Sequence, residues 1–336
     1  MRLKHLQVGL MVAMGLLLLL AFVPYKSESK LKIPPHFPAM KSTPGNELTN
    51  ERIELGRRLF YDPILSRTND ISCASCHKQV FAFSDTTAIS PGVEGRLGNR
   101  NAPSLANVGY NPFVLFDGFL ETLEKQVLVP IEEHAEMDFN IVEVAKRLKL
   151  NKDYVALCKK AYNREPDAFV ITRSIAAFER TLISGNSRYD QHLNGKKTLN
   201  ESEKRGMNLF FNQLYCSSCH SGFNFTDFSV KNNGLYTVYA DSGRMRVTKL
   251  ETDRDLFKIP TLRNCELTAP YMHDGSLKTL RDVIHHYASG GQSHQHKSEI
   301  IQPFTLSKSE EDDLIAFLYS LTDQQFIKNK RFRSPF

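Results

Sequence analysis

Apolar residues along this chain recur mostly with a helical period and only rarely with a strand period. In NIVEVAKRLKL (140–150), Ile141, Val144, Ala145 and Leu148 fall on one helical face. DAFVITRSIAAFERTLISG (167–185) continues as a long amphipathic segment that stops near Gly185. SKSEEDDLIAFLYSLTD (307–323) opens with serine and acidic residues and then runs through Leu314, Ile315 and Leu318. In TLRDVIHHYASGG (279–291), Thr279 and Asp282 can cap the helix start and Gly290 can end it. Leu280, Val283, Ile284 and Tyr287 then share a face, with His285 and His286 turned about 100° or more from its centre. Strand signals are few, so the predicted fold is mostly α.

The same patterning marks the ends and the joints. Arg2 and Lys4 precede an uncharged apolar run over residues 6–23, a basic segment followed by a hydrophobic one, as in exported chains. The run is borderline between a signal peptide and a short membrane anchor, and no Ala-x-Ala cleavage site follows it, so both remain open for residues 1–23. Residues 24–47 hold Pro24, Pro34, Pro35, Pro38 and Pro44 and read as a linker or wrapping arm. A weak internal repeat follows, ELGRRLFYD (54–62) against EKRGMNLFFN (203–212). It divides the rest into two similar domains, 48–190 and 191–336.

Composition supports this division. A chain of 336 residues has room for two domains, and 41% hydrophobic with 24% charged residues is a globular balance. The formal net charge of +6 is mild and its Lys and Arg are scattered, apart from KNKRFR (328–333), which reads as a solvated end. Nothing points to nucleic acid. An exported chain lies in an oxidising compartment, the periplasm in a bacterium, where thiols are usually paired or otherwise used. Four of the six cysteines are used in one repeated pentapeptide, CASCH (73–77) and CSSCH (216–220); Cys158 and Cys265 remain, either buried and reduced or bridged.

Chance does not account for the pentapeptides: residue frequencies predict about 0.003 occurrences of Cys-x-x-Cys-His in such a chain. The chemistry that needs this spacing is covalent attachment of haem c. Cys73 and Cys76, and again Cys216 and Cys219, can each reach a vinyl group as thioethers, while His77 and His220 lie beneath the rings to bind iron. On a helix these positions share a face, and each histidine's second nitrogen should donate to a backbone carbonyl. A four-cysteine zinc site would not need a histidine after each pair, and a thioredoxin-like pair would want a βαβ context.

Around these motifs stand RNAPSLANVGYNP (100–112), LFDGFLETLEKQ (115–126), VPIEEHAEM (129–137) and FKIPTLRNCELTAPYMHDGS (257–276). In this order they resemble the bacterial dihaem cytochrome c peroxidase / MauG family over about residues 48–325. The resemblance implies two cytochrome c-like domains, a peroxidatic haem in the first, an electron-transfer haem in the second, and a calcium ion between them. It carries the acid–base glutamate to Glu136, a distal-pocket glutamine to Gln126 and a pocket proline to Pro130. It carries the sixth ligand of the second haem to Tyr287, where peroxidases supply methionine; Met272 and the neighbouring histidines are the alternatives. Calcium would be held by Asn101 with the carbonyls of Thr268 and Pro270.

Two departures change what is expected. Where many members carry a distal histidine, this chain has Val93 within SPGVEG (90–95), so the first haem should be five-coordinate or water-ligated. Where relatives carry an inter-haem tryptophan, it has Phe116, and phenylalanine is far harder to oxidise. The leading expectation is a periplasmic peroxidase reducing hydrogen peroxide with electrons from a small donor, a cytochrome c or cupredoxin, and dimerisation is a family expectation. The second is a MauG-like oxidase that uses high-valent iron to attack a protein or amine substrate. The third, from another class, is a dihaem electron carrier with no enzymatic activity.

Overall fold

The computed structural model describes residues 31–41 and 43–336. The apolar run at 6–23 lies outside these residues, and no helix among them is long and apolar enough to cross a membrane. The helices used below are α1 (Asn50–Tyr61), α2 (Ile141–Lys149), α3 (Lys152–Tyr162), α4 (Ala168–Glu179), α5 (Glu201–Asn208), α6 (Leu280–Ala288) and α7 (Lys308–Tyr319). Short strands β1 (Val230–Lys231) and β2 (Phe257–Lys258) pair antiparallel.

The boundaries follow from local chemistry. Asn140 caps α2 by accepting from Val142 N–H, and the four positions predicted for its inner face are those buried. Capping boxes open α5 (Asn200 with Glu203), α6 (Thr279 with Asp282) and α7 (Ser307 with Glu310). Long α4 ends at Glu179, earlier than Gly185, and the chain then turns through Thr181 and Leu182.

Two apolar cores result. The first gathers α1–α4 around Phe60, Phe83 and Phe178; the second gathers α5–α7 around Phe210, Phe225 and Phe317. The internal repeat has a physical counterpart here. α1 crosses α4 at Gly56, where an added Cβ would lie 1.8 Å from Ser174 O; α5 crosses α7 at Gly206, where one would lie 1.9 Å from Asp313 O. Phe178 in one half and Phe317 in the other flank the crossing in the same register. Phe326 and Phe332, near the C-terminus, pack into the first core although the sequence assigns them to the second domain.

Charged contacts join the halves. Asp117 is fully buried and accepts from Arg100 at 2.7 Å and Arg246 at 2.6 Å, while Arg100 also reaches Asp241 at 2.6 Å. Asp190 forms a two-pronged pair with Arg263 at 2.8 and 2.9 Å, both residues sealed from solvent. The N-terminal arm closes over this pair: His36 bonds Asp190 at 2.9 Å, and Phe37 packs against Phe223 with ring centroids 4.7 Å apart. Cys158 lies in the first core and Cys265 in the second, both buried and unpaired, which excludes the bridge the sequence left open.

Replacing Gly56 or Gly206 by alanine is expected to lower stability by roughly 2 kcal/mol, because overpacking against rigid backbone exceeds the helix-propensity gain of alanine. Denaturant unfolding of each variant measures this, and an unchanged midpoint in both would show that the crossings are not tight.

Candidate functional site

Each pentapeptide forms one helical turn. In the first, Ser72 and Ser75 make a capping box and His77 N–H donates to Cys73 O at 2.9 Å. In the second, Tyr215 turns the chain in a left-handed conformation and His220 N–H donates to Cys216 O at 2.9 Å. The two cysteines and the histidine therefore face one side, as a macrocycle with two vinyl groups and one iron requires.

The histidines are oriented as expected. His77 Nδ1 lies 2.9 Å from Phe83 O, and His220 Nδ1 lies 3.1 Å from Phe225 O. The carbonyl fixes the tautomer with Nδ1–H donating, which leaves Nε2 with a lone pair for iron. Burial lowers both histidine pKa values and favours this neutral form. Burial also raises the thiols, that of Cys216 to about 11, so none is poised as a free thiolate. Yet all six side chains keep some accessible surface although they lie deep in the fold. Two thiols and one imidazole on a single, partly open turn at each motif are a donor set that fits haem c.

Facing the first motif is Glu136. Burial, then the nearby charge of Glu133, push its carboxyl up to about 7, and it is close enough to raise the Cys76 thiol in turn. The residue is nonetheless exposed, so its carboxyl, although crowded by the fold, is open to small molecules from solvent. Gly92 holds the backbone here: a Cβ would lie 2.2 Å from Ala135 O and 2.4 Å from Glu136 O. Val93, fully buried, donates its N–H to Glu136 O at 2.8 Å. The loop that carries a histidine in many relatives is thus clamped as a wall beside Glu136. Gln126 and Pro130, both half-buried, lie on the short helices Leu123–Gln126 and Leu128–Glu132, directly before Glu136 in the chain.

The second motif faces α6. Burial raises the Tyr287 pKa, against which a hydrogen bond from Asn233 works, and the Cys216 and Cys219 thiols lie within electrostatic reach. Asn233 Nδ2 also donates to Met272 Sδ at 3.3 Å, so one amide touches both candidate ligands, Tyr287 and Met272. The histidines are engaged elsewhere: His285 with Glu311 at 2.8 Å on the surface, His286 with Asn233 O at 3.1 Å.

Phe116 O accepts from Lys258 N–H at 2.6 Å, which ties β2 to the segment carrying Phe116. At the calcium expectation, Asn101 is buried and its amide nitrogen donates to Thr87 O at 3.1 Å and Ala88 O at 3.0 Å, which turns Oδ1 the other way. Its N–H donates to His273 O at 2.7 Å, close along the chain to Thr268 and Pro270. No cluster of three or more His, Cys, Asp or Glu suited to a metal ion occurs among the described residues, so any calcium site here rests on amide and carbonyl oxygens.

Three side chains went unnoticed in the sequence. Glu179, 5% exposed, has Oε2 buried without a partner, lies near Cys73, and is pushed up to about 8 by burial. A carboxylate inside the apolar run of AAFERTLISG was the available signal. Lys258 is pushed down to about 8 by burial alone. Asn233 sits in NNG, which sequence reads only as a turn.

A mostly helical protein with two Cys-x-x-Cys-His turns of this geometry is a dihaem c-type cytochrome in class. Residues 50–198 match the family model of di-haem cytochrome c peroxidases. The chain is 35% identical to methylamine utilization protein MauG of Methylophilus methylotrophus, over 87% of this chain and 88% of that one. It is 32% identical to cytochrome c551 peroxidase of Pseudomonas aeruginosa, over 84% and 81%. A crystal structure of a MauG-like protein associated with microbial copper homeostasis superposes with a TM-score of 0.88 at 34% identity, covering 91% of this chain and 99% of that one. The chain belongs to the dihaem cytochrome c peroxidase / MauG family and is a haem-dependent oxidoreductase; the family implies two haem c groups.

Replacing Cys73 and Cys76 together, or Cys216 and Cys219 together, by alanine is expected to halve the covalently retained haem. The pyridine haemochrome spectrum after acid–acetone extraction measures it, and full retention in either variant would contradict attachment at that motif.

Proposed function

We propose that this protein is an exported dihaem peroxidase that reduces hydrogen peroxide to water, with its peroxidatic haem on Cys73, Cys76 and His77 and its electron-transfer haem on Cys216, Cys219 and His220. The single observation that supports this most is Glu136, an accessible carboxyl facing the first motif with a pKa close to neutral. The haem there would supply an iron that binds peroxide and accepts electrons one at a time. Glu136 as carboxylate would take the proton from one peroxide oxygen and return it to the other, which makes that oxygen leave as water. Gln126 would hold the peroxide by hydrogen bonding and Pro130 would shape the pocket. Val93 leaves the distal side free of a competing imidazole. Two electrons and two protons complete the reduction to two water molecules.

Electrons would enter from a small redox protein, a cytochrome c or cupredoxin, at the second haem. They would pass to the first by way of the Phe116 segment, where Phe116 serves as packing and is not itself oxidised. Tyr287 as the sixth ligand would favour ferric iron and lower the potential relative to methionine. A calcium ion on Asn101 and the Thr268 and Pro270 carbonyls, export to the periplasm with residues 6–23 cleaved or retained as an anchor, and a homodimer complete the proposal.

A second function, oxidation of a protein or amine substrate as by MauG, is favoured by Val93 together with Tyr287, since both remove features a self-contained peroxidase commonly uses. A dihaem electron carrier would need neither an accessible Glu136 nor a distal side lacking histidine. The haem-loaded protein mixed with hydrogen peroxide and reduced cytochrome c separates the three: rapid turnover supports the peroxidase, long-lived oxidation without turnover the oxidase, and inertness to peroxide the carrier.

A carboxylate is needed for the first proton transfer, and a raised pKa keeps Glu136 protonated below about 7. The peroxide-dependent rate is therefore expected to rise with pH and level off above about 7. Glu136→Gln should abolish that limb and lower the rate by roughly 10²–10⁴-fold. A pH profile of kcat/KM for peroxide in both proteins measures this.

In the ferric protein one haem is expected to be high-spin or water-ligated, and Tyr287→Phe should change only the other, low-spin, species. Two fully low-spin haems in the electron paramagnetic resonance spectrum of the untreated ferric protein would contradict the assignment of Val93.

A further inference from the structure

A chain of polar and aromatic contacts runs from Tyr287 to the surface. Tyr287 receives the Asn233 amide. The Tyr239 hydroxyl lies 3.5 Å from Asn233 Oδ1 and 3.3 Å from Asn232 Oδ1, and accepts from Leu235 N–H at 2.8 Å. The Tyr239 ring meets that of Tyr236 edge-on, with centroids 5.4 Å apart and planes at 77°. Tyr236 donates its hydroxyl to Asp274 Oδ2 at 2.6 Å. It is half-buried and followed by two exposed residues, Thr237 and Val238, the latter 83% exposed.

We propose that Tyr239 and Tyr236 form a one-electron relay that brings oxidising equivalents from the Tyr287 side of the second domain to the surface, where Tyr236 is the terminal oxidised group. This rests on the peroxide chemistry proposed above, hydrogen peroxide being the oxidant. The chain contains no tryptophan, so its tyrosines are its most easily oxidised aromatic rings, and Phe116 cannot serve as such a stop. A phenol is costly to oxidise unless its proton has somewhere to go, because the phenol radical cation is a strong acid. Asp274 provides that place within hydrogen-bonding distance.

The step balances as follows. One electron leaves the Tyr236 ring through Tyr239 toward the haem side, the Tyr236 O–H bond breaks, and the proton moves to the Asp274 carboxylate. The neutral radical then takes an electron from a reduced one-electron donor at the surface, the small redox protein proposed above, while Asp274 returns the proton. Two such turns deliver the two electrons that one hydrogen peroxide consumes, with two protons, in forming two water molecules.

The test treats the haem-loaded full chain with hydrogen peroxide in the presence of the spin trap 2-methyl-2-nitrosopropane and no added reductant. Peroxide loss, the tyrosyl radical signal and the position of the adduct by peptide mass spectrometry are followed together. The adduct is expected on Tyr236. It should disappear in Tyr236→Phe and fall sharply in Tyr239→Phe, which leaves Tyr236 itself intact. Tyr319, 48% exposed and outside the relay, should stay unlabelled. An adduct confined to Tyr215, which is 65% exposed and adjoins Cys216, would overturn the proposal, as would full labelling of Tyr236 in Tyr239→Phe. Peroxide consumption without any tyrosine adduct overturns the relay alone; absence of peroxide consumption overturns the relay and the peroxidase function together.

Discussion

Backbone touching side-chain-free backbone at Gly56 and Gly206 is the constraint on which both halves of this molecule depend. In each half a helix that precedes a Cys-x-x-Cys-His turn lies directly on a second helix, close enough that even a methyl group would overlap a carbonyl oxygen. The crossing brings Phe60 to Phe178 in one half and Phe210 to Phe317 in the other, with ring centroids 5.2 Å apart in both. Those aromatic cores extend to Phe83 and Phe225, whose carbonyls hold His77 and His220. A wider helix crossing would move the carbonyl, and the imidazole with it. The geometry of each haem-binding histidine is therefore inherited from a glycine some twenty residues or less upstream.

The same scaffold is dressed differently in its two copies. In the first, a loop pinned by Gly92 and Val93 lies against the backbone of Glu136. In the second, α6 presents Tyr287, steadied by Asn233. In the function proposed above, a proton donor–acceptor at one centre and an oxygen donor at the other would let one site react with a small oxidant and the other conduct electrons. Buried ion pairs hold the halves in register, and those at Asp117 and Asp190 place charge where losing one partner would leave the other uncompensated. They fix orientation more than they add stability. Asp117 adjoins Phe116, so the proposed passage of electrons by way of that segment would depend on this orientation.

Much of the fold could be read along the chain. The apolar face of α2 and the caps of α6 and α7 follow from local periodicity and capping chemistry, which neighbours in sequence determine. The pentapeptides were legible because their chemistry is covalent and their spacing short. Glu136, Gln126 and Pro130 were proposed through resemblance and not through any local signal, and Tyr287 through resemblance together with its place on the apolar face of α6. Glu179 and Lys258 were missed because their unusual feature is burial without a partner, which depends on what other segments bring alongside them. The end of α4 at Glu179, ahead of Gly185, was misjudged for a related reason. Asn107 and Asp323 bond the backbone at Ser184–Asn186 and draw the chain out of the helix before the glycine is reached.

Sequence alone thus determined a helical chain with two Cys-x-x-Cys-His turns, since each is written in residues a few positions apart. Tertiary structure decided which carboxyl faces the first motif, which phenol faces the second, and how Phe326 and Phe332 return to the first core. It also decided that Cys158 and Cys265 stay apart. These outcomes depend on distances between segments far apart in the chain, and such distances are set by close packing around Gly56 and Gly206 and by buried charges that find their partners only once the halves have met.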